Sequence, residues 1–232
     1  MEQQSKYRMK VIARIETDFP SKFGIPRQSG LNDALKARIV FEKEYRIPDA
    51  LRGLDGYSHL WLIWVFSESI RDKWSPTVRP PRLGGNRRMG VFATRSPFRP
   101  NPIGLSSVRI DRVELSEECG PVIYISGADL MDGTPILDIK PYLPFADSHV
   151  DALGGFTDTN SLRHLEVEFP RDLLALVPEE KREALFGVLE SDPRPSYQSD
   201  PDRVYGFGFA GMEIRFRVSG NTLHVVDTYT IG

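Results

Sequence analysis

The stretch YSHLWLIWVF, from Tyr57 to Phe66, is almost unbroken apolar and aromatic. Its length and its flanks favour a strand buried on both faces, although periodicity alone also fits a buried helix. A second stretch, GLSSVRIDRVEL from Gly104 to Leu115, alternates apolar and polar residues. Such alternation is typical of a half-buried strand. The two stretches predict that the first part of this chain is built mainly from β-strands.

Other short alternating or apolar runs surround these two strands. Further strands are expected at Lys10–Ile15, Ala37–Phe41, Gly90–Ala93, Val122–Gly127 and Ile136–Ile139. Many short strands, long loops and almost no helix before residue 148 predict a small β-barrel.

The last third of the chain has a different pattern. The polar, Gly-containing segment from His149 to Asn160 is interpreted as a linker. Arg171 to Glu190 has helical apolar spacing and is expected to break near Pro178. Strands are predicted at Leu165–Phe169, Tyr205–Phe209, Met212–Val218 and Leu223–Tyr229. We therefore predict a mainly β fold, with a small β-barrel N-terminal domain at 1–155 and an α+β C-terminal appendage at 161–232.

Composition narrows the class of protein. The 232 residues carry a net charge of −2 and contain one cysteine, Cys119. A single cysteine excludes an internal disulfide and a Cys-based zinc cluster, and the four histidines have no metal-ligand spacing. The longest apolar run, Leu60 to Phe66, is too short to cross a bilayer, and the N-terminus has no signal-peptide core. We expect a cytoplasmic protein that needs neither a metal nor a membrane.

Charge is distributed unevenly along the sequence. Between Arg71 and Arg112, which we call the basic segment, ten basic residues face only two acidic ones, a local net charge of +8. Nine of the ten are arginine, the residue suited to bidentate phosphate contacts and to stacking on bases. Prolines stiffen this segment, so a preorganised anion-binding surface is favoured over a solvated basic loop.

A candidate catalytic face lies in the later loop. The common templates are missing: there is no glycine-rich nucleotide loop, and Ser96 and Ser106 lack a visible His or Asp partner. Asp138, Lys140 and Tyr142 alternate and would share one face of an extended segment. An acid, an amine and a phenol together could orient and deprotonate a nitrogen nucleophile. The alternative is a structural ion pair with a hydrogen-bonded tyrosine.

Four long strings allow a comparison with a known family. They are FPSKFGIPRQ, LDGYSHLWLIWVF, VRPPRLGGNRRMGVFATRSPFRPNPIGLS and DLMDGTPILDIKPYLPFADS. In this order they resemble the TsaA-like family, the tRNA threonylcarbamoyladenosine methyltransferases called TrmO. The match runs from about Met9 to Ser148, and DPRPSY, Asp192 to Tyr197, more weakly resembles the C-terminal part of the bacterial members.

The resemblance implies a β-barrel that binds S-adenosylmethionine and acts as a homodimer. It also implies methyl transfer to the exocyclic nitrogen of threonylcarbamoyladenosine, just 3′ of the anticodon. Carried over to this sequence, the cofactor site comprises Pro26, Arg27, Gln28, Ser67, Glu68, Arg95, Leu105, Asp129, Leu130, Met131 and Asp132. Family members often have His at the position of Ser67, so this sequence departs from the family pattern there.

In this hypothesis Asp138 or Tyr142 accepts or relays the proton, and Lys140 orients the substrate. Phosphates and unpaired bases of the anticodon loop would be held by Arg79, Arg82, Arg87, Arg88 and Arg99. Two other functions remain open at the level of sequence. One is a non-catalytic RNA-binding module, which would have no need of Gln28 or Asp129. The other is a barrel methyltransferase that acts on a small molecule.

Overall fold

The computed structural model describes residues 7–80, 83, 87–158, 164–194 and 200–231. Its strands are β1 (Ala13–Glu16), β2 (Lys36–Phe41), β3 (His59–Val65), β4 (Thr77–Val78), β5 (Met89–Gly90), β6 (Ile103–Ser116), β7 (Gly120–Ser126), β8 (Pro135–Pro141), β9 (Glu166–Glu168), β10 (Tyr205–Phe209), β11 (Met212–Ser219) and β12 (Thr222–Thr230). Its α-helices are α1 (Pro144–Asp147), α2 (Arg171–Leu174) and α3 (Glu179–Glu190). No described helix is long and apolar enough to cross a membrane.

Six strands close into a barrel in the order β1-β2-β7-β6-β3-β8. The sheet closes because β1 pairs with β2 on one side and with β8 on the other, where Ala13 faces Ile136. Closure pairs the strand edges that an open sheet would leave exposed. Alternate side chains of each strand fill the interior, among them Ile15, Ile39 and Ile123. The predicted β-barrel is confirmed.

The central strand β3 differs from the expectation in one respect. Leu60, Leu62 and Trp64 are buried, but the residues between them are only partly buried. The prediction of a strand buried on both faces was therefore wrong. Within the described part of the chain, nothing covers the outer face of this strand completely, so large residues such as Trp61 lie half-exposed on the barrel surface.

The predicted strand Gly90–Ala93 was also wrong. Met89 and Gly90 pair with β4, whereas residues Val91–Ala93 form a 3₁₀ turn. Extending the antiparallel ladder past Gly90 would place Val91 opposite Pro76, which has no backbone N–H to donate, so the ladder ends there. The buried side chain of Val91 anchors the turn.

The C-terminal unit is a four-stranded sheet in the order β10-β11-β12-β9, covered by α2 and α3. Strands β10, β11 and β12 form an antiparallel meander, whereas β9 runs parallel to β12. The helical pattern breaks where it was predicted to, with Pro178 at the N-cap of α3. Its apolar face, including Leu185 and Leu189, packs into the core of this unit.

The chain has two separate hydrophobic cores, one inside the barrel and one in the C-terminal unit. The loop between β1 and β2 is part of the barrel domain in sequence but packs into the C-terminal core. The loop between β1 and β2 contributes Phe19 and Leu35 to the C-terminal core, where Phe23 and Ile25 also pack. Asn32 Nδ2 donates to the carbonyl oxygen of Ala184 at 2.8 Å. The β1–β2 loop thus leaves the barrel and is folded against the C-terminal unit.

Candidate active site

A cavity of about 540 Å³ lies at the end of the barrel where β3 ends and β6 begins. Four segments form it: the β1–β2 loop, the residues after β3, the basic segment and the loop between β7 and β8. Ten of the eleven residues predicted to bind the cofactor line it: Pro26, Arg27, Gln28, Ser67, Glu68, Arg95, Leu105, Asp129, Leu130 and Met131. The structure brings these distant residues together around one space.

Asp132 is the exception, because it does not line the cavity. Its Oδ1 accepts a hydrogen bond from the backbone N–H of Thr17 at 2.9 Å. Its own N–H donates to the carbonyl of Phe19 at 2.9 Å. The resemblance had implied that Asp132 faces the cavity. In the structure it instead holds the start of the β1–β2 loop.

The acidic side of the cavity is centred on Asp129. Ser106 Oγ donates to Asp129 Oδ1 at 2.6 Å, and Trp64 Nε1 donates to Ser106 Oγ at 3.0 Å. Burial raises the pKa of the Asp129 carboxyl, while the Ser106 hydroxyl and the charge of Arg95 act in the opposite direction. Sequence reasoning considered Ser106 only as a serine without a His or Asp partner, whereas the structure pairs it with Asp129, and it missed Trp64. The alternation of β6 could have placed Ser106 inward, but it says nothing about the partner.

The aromatic wall of the cavity was missed as well. The rings of Trp64 and Phe66 meet edge to face with centroids 4.3 Å apart, and both line the cavity. Gly104 makes this possible, because a Cβ there would overlap the Trp64 indole. At the level of sequence, Trp64 and Phe66 were assigned to a buried strand.

The basic side of the cavity joins two segments. Arg95 Nη1 donates a hydrogen bond to Gln28 Oε1, which links the basic segment to the β1–β2 loop. Arg27 Nη2 donates to the carbonyl oxygen of Arg194 at 3.3 Å. Arg194 is itself buried and forms a bidentate contact with Asp192 at 2.8 and 2.9 Å. The described part of the DPRPSY string therefore contacts the loop that carries Arg27, while its residues 195–197 lie outside the described residues.

The β1–β2 loop packs against both the sheet and helix α3 of the C-terminal unit. Gly24 has a φ of +90° and lies against the ring of Phe207. The rings of Phe23 and Phe207 meet at 6.3 Å. Lys181 Nζ contacts Asp18 Oδ2 at 2.6 Å. Ile25 and Pro26, which line the cavity, directly follow Gly24 in the chain.

Asp138, Lys140 and Tyr142 lie elsewhere. Asp138 and Lys140 share the outer face of β8, as the alternation predicted, and form a surface ion pair at 2.9 Å. The ring of Tyr142 packs beside Trp61, with centroids 5.6 Å apart. None of the three lines the cavity. Asp138 is the nearest by topology, because Ile63 pairs with it on one side and with Leu105 of the cavity wall on the other.

The arginines predicted to bind RNA take two kinds of position. Arg99 lines the cavity and donates to the carbonyl of Thr94 at 3.2 Å. Arg79, Arg87 and Arg88 are exposed. Arg82 lies outside the described residues. The exposed members can approach a polyanion without first breaking a buried contact.

Comparison with known proteins gives a consistent result. Residues 14–148 match the tRNA-methyltransferase O N-terminal domain, and residues 163–231 match the TrmO C-terminal domain. The chain is 40% identical to the tRNA (adenine(37)-N6)-methyltransferase of Escherichia coli, over 93% of this chain and 94% of that protein. It is 39% identical to a putative S-adenosylmethionine-dependent methyltransferase of Pseudomonas aeruginosa, over 88% of this chain and 90% of that protein.

Solved structures agree with the sequence matches. The crystal structure of TrmO from Pseudomonas aeruginosa superposes with a TM-score of 0.81 at 31% identity, covering 99% of this chain and 100% of that one. The resemblance found in the four strings is confirmed, and so is the mainly β fold. On its two matched domains, its relatives and its architecture, this chain belongs to the tRNA-methyltransferase O family.

Proposed function

We propose that this protein transfers a methyl group from S-adenosylmethionine to the exocyclic nitrogen of threonylcarbamoyladenosine, immediately 3′ of the anticodon of a tRNA. One observation carries the proposal. The cavity holds the half-buried carboxylate of Asp129 beside the guanidinium of Arg95, and one of the four segments that line it is the basic segment, whose net charge is +8. A small charged ligand and a polyanion can therefore meet at one place.

The cavity residues suit this cofactor. A volume of about 540 Å³ lies within the range that encloses such ligands. Arg95 can pair with the cofactor carboxylate, and Asp129 can accept from ribose hydroxyls or face the sulfonium. The rings of Trp64 and Phe66 offer π-faces to the same cation. The cofactor, when bound, supplies an activated methyl group on its sulfonium.

Positioning is the main contribution that we assign to the chain. Leu105 and Leu130 supply apolar walls that exclude water, while Arg99 and the exposed arginines hold the RNA backbone. Holding an acceptor nitrogen in line with the methyl group can supply roughly 7–11 kcal/mol of the barrier. No further acid–base group is required for that part of the catalysis.

The proton acceptor is part of the proposal, and the geometry ranks its candidates. Asp138 lies two strands from Leu105, about 10 Å along the hydrogen-bonding direction. Tyr142 lies four residues beyond Asp138, which is about 13 Å from Asp138 along an extended chain. Asp138 lies on the outer face of β8 and does not line the cavity, so we propose that it receives the proton through a relay, with Lys140 holding its carboxylate or the substrate.

Rate and stability measurements on the same variants test this assignment. If the face acts in catalysis, Asp138→Asn and Lys140→Ala should lower the single-turnover rate while both binding constants stay constant. Tyr142→Phe serves as the comparison, because Tyr142 lies past the end of β8 and is farther along the chain than Asp138 from the position that pairs with Ile63. If the contact is only structural, Asp138→Asn should lower the melting temperature and leave the rate near that of the wild type.

The reaction itself is tested with two tRNA preparations, one carrying threonylcarbamoyladenosine and one with unmodified adenosine. The purified protein and S-adenosylmethionine should yield a nucleoside heavier by one methyl group only from the first, as seen by mass spectrometry. EDTA should not lower the rate. A folded protein that binds the cofactor and tRNA but transfers no methyl group would refute the proposed reaction.

Three further points belong to the same proposal. A homodimer is the assembly that the resemblance implies, and sedimentation analysis of the purified chain tests it. A cytoplasmic location follows from a tRNA substrate.

The division into units at 1–155 and 161–232 follows from the change of pattern along the sequence, and limited proteolysis tests whether cleavage falls between them.

A further inference from the structure

Two large aromatic side chains lie exposed on the basic segment. Trp74 is 50% exposed and Phe92 is 72% exposed. Their rings stack with centroids 6.2 Å apart and an interplanar angle of 29°. Single exposed apolar residues need no special account, but a stacked exposed pair forms a flat apolar surface that water solvates poorly.

Local structure fixes this aromatic pair. Thr77 pairs with Gly90 in the β4–β5 ladder, and the N–H of Val91 donates to the carbonyl of Pro76 at 3.0 Å. Trp74 precedes this ladder and Phe92 follows it, so the ladder sets the distance between the two rings. The surface is therefore preorganised, which lowers the entropic cost of binding a planar ligand.

The charges of the residues near the pair in the sequence indicate which ligand fits. Lys73, Arg87 and Arg88 are exposed, and within the described part of the chain they form no ion pair with a carboxylate. The guanidinium of Arg71 lies 3.6 Å above the ring of Phe98. Flat aromatic surfaces beside unneutralised cations are what single-stranded nucleic acids bind, because bases stack while phosphates pair with the cations.

A second copy of this chain fits the surface less well. A two-fold interface places a patch against its own equivalent, so it would bring the cations of the basic segment against one another. RNA carries the complementary charge. Phe92 also lies only two residues before Thr94, which lines the cavity. A base stacked on the pair and the base that enters the cavity would therefore contact protein residues that are close together in the sequence.

We infer that Trp74 and Phe92 form a stacking site for an unpaired base of the RNA substrate, next to the nucleotide that is methylated. This inference rests on the proposed function, because it assigns a second subsite to the same substrate. It adds an apolar contribution to binding that charge alone does not provide.

The test measures tRNA binding by fluorescence anisotropy at several salt concentrations. Trp74→Ala and Phe92→Ala should each weaken binding about 5- to 150-fold, the range found for removing one stacking partner. The log–log salt slope should stay constant, because no phosphate contact is lost. Trp74→Phe, which keeps an aromatic ring, should retain most of the affinity.

Control measurements distinguish base stacking from association between copies of the chain. Tyr229→Ala removes an aromatic ring that is 48% exposed on β12, far from the basic segment in sequence, and should leave tRNA affinity unchanged. Cofactor affinity by calorimetry and mass by sedimentation should stay constant in all variants. Loss of tRNA affinity together with a changed mass would show an interface between copies and overturn the inference.

Two other outcomes would overturn it as well. Wild-type tRNA affinity in both alanine variants would show that the rings only pack on each other. An equal loss in Trp74→Phe would show that ring stacking is not what the RNA needs. Because the readout is binding, a wild-type protein that binds tRNA without methylating it would refute the proposed reaction and leave this inference standing.

Discussion

Gly24→Ala is expected to weaken cofactor binding by displacing the β1–β2 loop from the C-terminal unit. Gly24 has a φ of +90°, a conformation that alanine adopts only at a cost. A Cβ there would overlap the ring of Phe207, which is 2% exposed in the C-terminal core and cannot easily yield. The loop must therefore move, and Ile25 and Pro26 of the cavity wall move with it.

The magnitude can be divided into two parts. A positive φ costs roughly 1–2 kcal/mol for alanine, and overpacking a core costs roughly 1–3 kcal/mol. Gly30→Ala isolates the first part, since Gly30 lies in the same loop with a φ of +73° and has open space around its Cβ position. We expect Gly30→Ala to lower the free energy of unfolding by about 1–2 kcal/mol, and Gly24→Ala by about 2–5 kcal/mol.

Cofactor affinity reports the displacement. If the loop escapes the overlap by moving, binding must restore its position at up to the same 1–3 kcal/mol, which weakens the affinity by at most about 150-fold. Calorimetry with S-adenosylmethionine and denaturant unfolding on both variants measure the two quantities. Gly24→Ala combined with Phe207→Leu should recover part of the affinity because space is freed. Equal stability and equal affinity in Gly24→Ala and Gly30→Ala would refute the idea that Phe207 sets the position of the loop.

Three further predictions concern the cavity and its surroundings. Arg95→Ala should weaken cofactor binding by about 1.5–3 kcal/mol through loss of a charge-assisted contact, and unchanged affinity by calorimetry would exclude it from the site. Burial raises the pKa of Asp129, so its ionised form destabilises the fold above that pKa. Asp129→Asn should therefore raise the melting temperature at pH 7, and this gain should shrink as the pH falls through the raised pKa towards the ordinary value of 3.8. Arg87→Ala with Arg88→Ala should lower the log–log salt slope of tRNA binding by about 0.7 per lost contact, without changing cofactor affinity.

Sequence patterns predicted the strands and helices better than they predicted which strands pair. The alternation of β6 and β11 and the break at Pro178 were readable because each depends on residues two to four positions apart. The strand at Gly90–Ala93 was predicted from its apolar residues. It failed because a strand also needs a partner, and β4 provides only two residues for pairing.

For the candidate site, too, the sequence identified residues but not the directions of their side chains. The motif strings named residues that meet in one cavity, but the strings could not show which side chains face it. Asp132 stands within a matched string and yet holds Thr17. Asp138 and Lys140 share a face, but that face is the outside of the barrel. Alternation tells which residues point the same way, and it does not tell which side of the sheet the cavity occupies.

The sequence by itself determined most of the strands, the helix break, the local charge of +8 and the family, since all of these depend on neighbouring residues or on unbroken strings. Only the tertiary structure decided that β1 closes the barrel against β8 and that Ser106 meets Asp129. It alone showed Phe207 behind Gly24, although these residues are far apart in the chain. Such contacts depend on which strands pair, in which register and around which core. Those choices are made by the free energy of the whole packed chain, so no local pattern records them.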